Sequence, residues 1–226
     1  MPILKAEVNL QKGKVKLLVE KNNKKYNIVI PSTYFPLSNK RTINVFNCSN
    51  TVLIEEEKVI QLINETEREI GFCYSNSERL YNLLKQNGYS VKYYSGWLFV
   101  DEVPVHHAWV LLDGNKLIDL SFGVKDIIGM HNLDRSKPDW RAKFVEMSLE
   151  LDKLSNAERF IIGKVPDLLP INYVGSESTA EESKLLFNEA TKHKESPVHA
   201  LKDGGMNLNG ASEIQKLYYQ KKYNNK

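Results

Sequence analysis

The feature that most constrains the fold is a change of hydrophobic period in the middle of the chain. Residues 91–100 and 105–112 are rich in β-branched, aromatic and other apolar side chains, which is typical of strands. Asp113-Gly114 is a strong hairpin turn, and residues 116–120 supply a return strand. Two helical stretches precede these strands, so the pattern predicts an α+β fold with N-terminal helices packed on an antiparallel β-sheet.

The two helices are predicted from apolar residues at helical spacing. The first covers about residues 52–70 and ends at Gly71, and the second covers about residues 77–86. Ser75 and Glu78 form a capping-box pattern for the second helix. Before these helices, the pattern predicts three short strands and a loop with one further short strand: 3–10, 14–19, 26–30 and, within the loop 31–50, 43–46.

The domain boundary is expected near residue 172, after Pro166 and Pro170. Residues 1–172 then form a single domain with a strand-rich part over residues 1–50. Helices are expected over about 138–154 and 156–162. Residues 173–226 form a basic, partly helical or flexible tail, with helices near 179–192 and 211–223. Residues 190–226 hold seven lysines against three acidic residues, a charge of +4.

Composition excludes several classes of protein. The 226 residues carry a net charge of +3, less lopsided than a dedicated nucleic-acid binder, so we do not expect nucleic-acid binding; association through the basic C-terminal tail is kept as an alternative. No signal peptide and no apolar run near the ~20 residues of a membrane span is present, which favours a cytoplasmic protein without membrane association. The sequence contains no Gly-rich phosphate loop and therefore offers no cofactor motif. Two cysteines exclude a disulfide scaffold and a four-cysteine zinc site.

Cys73 is the candidate nucleophile among the two thiols. It stands at the entrance of the second helix, where the dipole and the free N–H groups favour a thiolate and could receive an oxyanion. Cys48 also lies shortly before a helix, and either cysteine could instead be a buried structural residue.

His107 and Asp119 distinguish Cys73 from Cys48. His107 lies in an apolar strand, and a hairpin centred on Asp113-Gly114 places Asp119 opposite residue 107 or 108, within one residue. A carboxylate there could fix the imidazole tautomer and stabilise the imidazolium. Taken singly, His107 could be a satisfied core histidine and Asp119 a solvated strand residue. A metal site from His106, His107 and Asp119 is disfavoured, because adjacent strand residues point to opposite faces.

Together these residues resemble a known family. Gly71-Phe72-Cys73, a helix, a strand, His107-Ala108-Trp109-Val110, a tight turn and Ile118-Asp119 resemble the core of the transglutaminase-like branch of the papain-like cysteine enzymes. The resemblance covers about residues 52–122. It implies a papain-like core with Cys73 as nucleophile, His107 as general base and Asp119 as orienter. It also implies that Trp97 could help to form the oxyanion site, although packing against the sheet is an alternative role for Trp97.

The reaction expected from such a triad is acyl transfer through a thioester. Hydrolysis of an amide or peptide bond ranks first, because water needs no dedicated acceptor site. The substrate is then a peptide, a protein or a small amide. Transfer to an amine, as in a transglutaminase or an N-acyltransferase, and a binding module with an idle triad remain alternatives. No cofactor and no metal are expected.

Overall fold

The computed structural model describes residues 3–9, 14–21, 23–31, 44–46, 50–100, 103–134, 136–165, 171–185 and 208–224. Three antiparallel strands form a small N-terminal sheet: β1 (Ile3–Asn9), β2 (Lys14–Lys21) and β3 (Lys24–Pro31). They confirm the three strands predicted there. Asn23 has a φ of 58° in the turn between β2 and β3, a conformation that asparagine tolerates better than most residues.

Six other described strands form the main sheet: β4 (Asn44–Phe46), β5 (Val91–Val100), β6 (Val103–Leu112), β7 (Lys116–Asp119), β8 (Ile161–Gly163) and β9 (Ile171–Glu177). Their order is β4-β9-β5-β6-β7-β8, and all neighbouring pairs are antiparallel. The predicted strands β4 to β7 are confirmed, whereas the sequence pattern misses β8 and β9.

β9 corrects the expected domain boundary. The strand lies between β4 and β5 and pairs with both of them. A boundary after residue 172 therefore falls inside a strand of the main sheet. Residues 173–177 are part of the sheet, because the backbone hydrogen bonds of β5 depend on them.

The labelled helices are α1 (Glu57–Glu65), α2 (Cys73–Gln86), α3 (Val124–Asn132), α4 (Trp140–Leu151), α5 (Asn156–Arg159) and α6 (Leu208–Asn224). α4, α5 and α6 lie where the sequence predicts helices, and residues 180–185 are also helical. α3 was not expected. With helices and an antiparallel sheet, the protein has an α+β fold.

Both N-terminal helices begin or end at other residues than the sequence pattern predicts. α1 begins only at Glu57, because the preceding segment hydrogen-bonds elsewhere: Val52 N donates to Asn115 O, and Thr51 Oγ1 accepts from Val165 N. α2 begins at Cys73, four residues before the predicted start. The prediction of a capping box at Ser75 is therefore wrong, because Ser75 lies inside the helix.

The two faces of the main sheet carry separate apolar clusters. On one face, Val110 and Leu112 of β6 pack with Leu80 and Leu84 of α2. On the other face, Trp109 of β6 packs with a cluster that is covered by Ile127 of α3: Tyr94, Leu98, Leu111, Leu117, Ile161, Val165, Ile171 and Tyr173. Side chains of β6 thus alternate between the α2 face and the α3 face, as expected for a strand.

The sheet curves around its α3 face. Tyr173 on β9 is separated from Asp119 on β7 by three strand spacings, about 14 Å in a flat sheet. That distance exceeds the combined reach of the two side chains, yet the Tyr173 hydroxyl lies 2.7 Å from Asp119 Oδ2. Gly96 and Gly175, which are paired in β5 and β9, allow the close approach: a Cβ on Gly96 would lie 2.2 Å from Val174 O. The α3 face is therefore concave.

The C-terminal helix α6 packs onto the rest of the protein. Ile214 and Tyr218 are buried with Val145 of α4. The Tyr218 hydroxyl hydrogen-bonds to Asp152, whose carboxylate also pairs with Arg68 and Arg159. α6 is thus a packed element and not a free tail. No helix in the described part of the chain has the length and apolar character needed to cross a membrane.

Candidate active site

Cys73 is the first residue of α2 and its side chain is partly exposed. Phe72 is the N-cap residue and contributes no side-chain hydrogen bond to the helix end. The first N–H groups of a helix lack partners within the helix and carry the positive end of its dipole. A thiol at this position faces groups that stabilise negative charge.

Gly71 sets the backbone conformation two residues before Cys73. Its φ of +79° lies in the left-handed region, where a side chain would be strained. The space beside it is also taken, because a Cβ there would lie 2.4 Å from Nε2 of Gln215 in α6. The same Nε2 donates to Ile70 O at 3.1 Å. The C-terminal helix therefore holds the backbone at Ile70, three residues before Cys73.

Two polar side chains of α2 attach the helix start to its surroundings. Ser77 Oγ donates to Ala108 O at 2.9 Å, which fixes α2 on β6 beside His107. The Asn76 side chain accepts from Glu69 N and donates to Glu69 O and to Ser121 Oγ. Asn76 thus connects the segments before Cys73 and after Asp119.

His107 and Asp119 form a buried pair. His107 Nε2 lies 2.6 Å from Asp119 Oδ2, and both side chains have 0% exposure. Phe122 lies edge-on to the imidazole at 5.1 Å between ring centroids. The second carboxylate oxygen, Oδ1, accepts from Ser121 N at 2.9 Å and from Phe122 N at 3.2 Å. The carboxylate is therefore held at both oxygens.

The pKa of His107 is raised to about 10. Burial by itself lowers the pKa, but the negative charge of Asp119 and the hydrogen bond to it raise it, and the nearby Cys73 side chain adds to the increase. The nitrogen that does not face Asp119, Nδ1, has no well-aligned partner among the described residues. Cys73 thus lies near the imidazole ring, but its contact with Nδ1 does not meet the geometric criteria of a hydrogen bond, whereas the Asp119 contact with Nε2 does.

Cys73 reaches His107 at an open edge of β6. α2 packs on the sheet face that carries Ala108, whereas His107 lies on the opposite, concave face with Trp109. β7 pairs with β6 only at Val110, Leu111 and Leu112. The edge of β6 beside His107 is thus uncovered by β7, and the start of α2 approaches the imidazole there. The structure brings the three predicted residues together.

Trp97 lies elsewhere. In the register of β5 and β6, Trp97 pairs with His106 and Gly96 pairs with His107. Two directly paired residues project to the same face of the sheet, and the next residue along each strand projects to the other face. The Trp97 side chain therefore lies on the face opposite to His107. It has 0% exposure. Trp97 is therefore buried on the face opposite to His107, which agrees with the alternative packing role, and it offers no open surface to a substrate.

Sequence reasoning misses Tyr173, whose hydroxyl donates to Asp119 Oδ2 at 2.7 Å. It also misses Asn76, Ser121 and Phe122, which hold the same region. Cys48 lies outside the described residues. Among the residues that the structure describes, no group of three or more His, Cys, Asp or Glu side chains could hold a metal ion.

Comparisons with protein-family models, with curated proteins and with solved structures found no match to this chain.

Proposed function

We propose that this protein is a cysteine-dependent acyl-transfer enzyme that hydrolyses an amide or peptide bond, with a papain-like core of the transglutaminase-like branch. The observation that carries the proposal is the buried His107–Asp119 pair at 2.6 Å, whose imidazole also interacts with a cysteine at a helix start. A nucleophile beside a base that a third residue orients is the arrangement that covalent catalysis requires.

The chemistry begins with the thiol. His107 accepts the Cys73 proton, and the thiolate attacks the substrate carbonyl carbon to form a C–S bond. The negative oxygen that develops is stabilised by backbone N–H groups at the start of α2, which supply this function without Trp97. His107 then gives its proton to the amide nitrogen, the C–N bond breaks and the amine leaves a thioester on Cys73.

Deacylation reverses the roles. His107 takes a proton from water, the hydroxide attacks the thioester carbonyl, and the C–S bond breaks to release the acid and regenerate the thiol. Asp119 keeps Nε2 protonated throughout, so that Nδ1 is the nitrogen available to Cys73 and to water. An amine in place of water would make the same site a transferase.

The test is capture of the acyl-enzyme. The protein is mixed with a panel of amide and peptide substrates, quenched in acid and weighed intact. We expect the mass of one acyl group on Cys73, which hydroxylamine removes, and no such adduct on Cys73→Ala. Adding a primary amine separates hydrolysis from transfer, because a transferase converts the acyl group to a new amide.

Thiol labelling supplies a test that needs no substrate. Iodoacetamide should alkylate Cys73 faster than Cys48 near neutral pH, and His107→Ala should slow the Cys73 reaction only. Equal and slow labelling of both thiols would contradict the enzyme proposal and favour a binding module with an idle triad. A biological activity that survives Cys73→Ala would do the same.

A further inference from the structure

Tyr173 contacts the same carboxylate oxygen as the candidate general base. Its hydroxyl donates to Asp119 Oδ2 at 2.7 Å, and His107 Nε2 lies 2.6 Å from that oxygen. All three side chains have 0% exposure. The pair is therefore part of a three-membered chain of tyrosine, aspartate and histidine that lies wholly in the interior.

The three residues come from distant parts of the sheet. Tyr173 lies on β9, Asp119 at the end of β7 and His107 on β6. The Tyr173 ring packs edge-on to Trp109, with 5.1 Å between ring centroids, which fixes the direction of the hydroxyl. The concave curvature of the sheet thus delivers a rigid donor to Asp119 from the side opposite to β8.

Each of the two carboxylate oxygens of Asp119 accepts hydrogen bonds from two donors. Two backbone N–H groups, of Ser121 and Phe122, bind Oδ1, while Tyr173 and His107 bind Oδ2. A carboxylate held by the backbone alone at Oδ1 could still rotate about its Cβ–Cγ bond. The Tyr173 bond opposes this rotation and keeps Oδ2 in the plane where Nε2 meets it.

We propose that Tyr173 is a positioning residue of the Cys73–His107–Asp119 site: through Asp119 Oδ2 it sets the orientation of the imidazole that faces Cys73. This inference rests on the proposed function. A phenylalanine would fill the same apolar cluster equally well, so the hydroxyl is the part of Tyr173 whose role packing does not explain.

The experiment compares Tyr173→Phe with Tyr94→Phe. Tyr94 belongs to the same apolar cluster and stacks on Trp109 at 6.0 Å, so it controls for loss of a hydroxyl without loss of a bond to Asp119. Cys73 alkylation by iodoacetamide is measured from pH 5 to 9. Tyr173→Phe should lower the rate at pH 5.5 about tenfold, the weight of one hydrogen bond to a charged group, and Tyr94→Phe should not.

Two further measurements distinguish positioning from general packing. Proton NMR should show a shift of the downfield Nε2–H resonance of His107 in Tyr173→Phe and none in Tyr94→Phe. In an Asp119→Asn background, Tyr173→Phe should cause no additional loss of rate, because its path to the imidazole is already broken.

The outcomes separate this inference from the proposed function. If wild-type Cys73 reacts like an ordinary thiol, the proposed function fails and the inference falls with it. If wild-type Cys73 is activated but Tyr173→Phe leaves the rate profile and the resonance unchanged, only the inference is overturned. Equal slowing by Tyr94→Phe, or full additivity with Asp119→Asn, would overturn it as well.

Discussion

Asp119→Asn is the substitution that most directly probes the buried pair. The asparagine keeps the shape of the side chain, and its carbonyl can still accept from Ser121 N and Phe122 N. Its NH₂ group then faces His107 Nε2 and donates to it. The imidazole must present Nε2 as an acceptor, so Nδ1 carries the proton and can no longer take one from Cys73.

The magnitude follows from the pKa of His107. Asp119 is the main cause that raises this pKa to about 10, against the burial that lowers it. Without the carboxylate, the main cause of the raised pKa is gone while burial still lowers it, so the imidazolium that would stabilise a Cys73 thiolate is strongly disfavoured. Cys73 then behaves as an unassisted thiol.

The expected loss of rate therefore depends on pH. An unassisted thiol, with a pKa near 8.5, is about 3% ionised at pH 7 and about 0.1% ionised at pH 5.5. Alkylation of Cys73 in Asp119→Asn should thus fall roughly 30-fold at pH 7 and roughly 1,000-fold at pH 5.5. Turnover of a substrate should fall by about 10⁴, because the base is lost in both half-reactions.

The assay is mass spectrometry of the Cys73 peptide after timed reaction with iodoacetamide, with Cys48 as internal reference. Asp126→Asn is the matched control: Asp126 is also a buried carboxylate, paired with Arg159 at 2.7 Å, but it does not contact His107. It should destabilise the protein without changing the Cys73 rate. Wild-type labelling of Asp119→Asn at both pH values would refute the reasoning.

Two other predictions concern stability. The raised pKa of His107 contributes stability that is fully present below pH 6.5 and is lost as the pH rises from 6.5 to about 10. Urea midpoints should therefore fall across this window in the wild type and fall less in His107→Gln. Parallel curves for the two proteins would contradict the raised pKa of His107. Truncation before Leu208 removes the hydrogen bonds of Gln215 to Ile70 and of Tyr218 to Asp152, so it should lower the melting temperature and slow Cys73 alkylation. A truncated protein that folds and reacts at the wild-type rate would show that α6 does not support the nucleophile.

The part of the site that could be predicted from the sequence is local. Cys73 begins an amphipathic helix, and His107 and Asp119 lie on two strands joined by a tight turn, so their neighbourhood follows from short-range patterns. Tyr173 lies 54 residues beyond Asp119, and its contact depends on the curvature of the whole sheet. No spacing rule reports such a contact.

The missed elements have patterns that their packing explains. Six consecutive residues of β9, from Ile171 to Ser176, are buried, so the strand shows no alternation of polar and apolar side chains. α3 contains Gly129, which weakens a helical pattern. A Cβ there would lie 1.9 Å from Sδ of Met147, so the glycine leaves room for the Met147 side chain where α3 packs on α4.

The turn between β6 and β7 decides whether the site can exist. A two-residue loop of Asp113 and Gly114 would pair Asp119 with Ala108, on the face that α2 covers. The loop instead has three residues, ending at Asn115, and β7 pairs Val110 with Ile118. Continuing this register by one residue places Asp119 opposite Trp109, on the same face as His107 and diagonal to it. One additional loop residue thus turns the carboxylate to the concave face, where the imidazole lies, which is why sequence reasoning could place the pair only to within one residue.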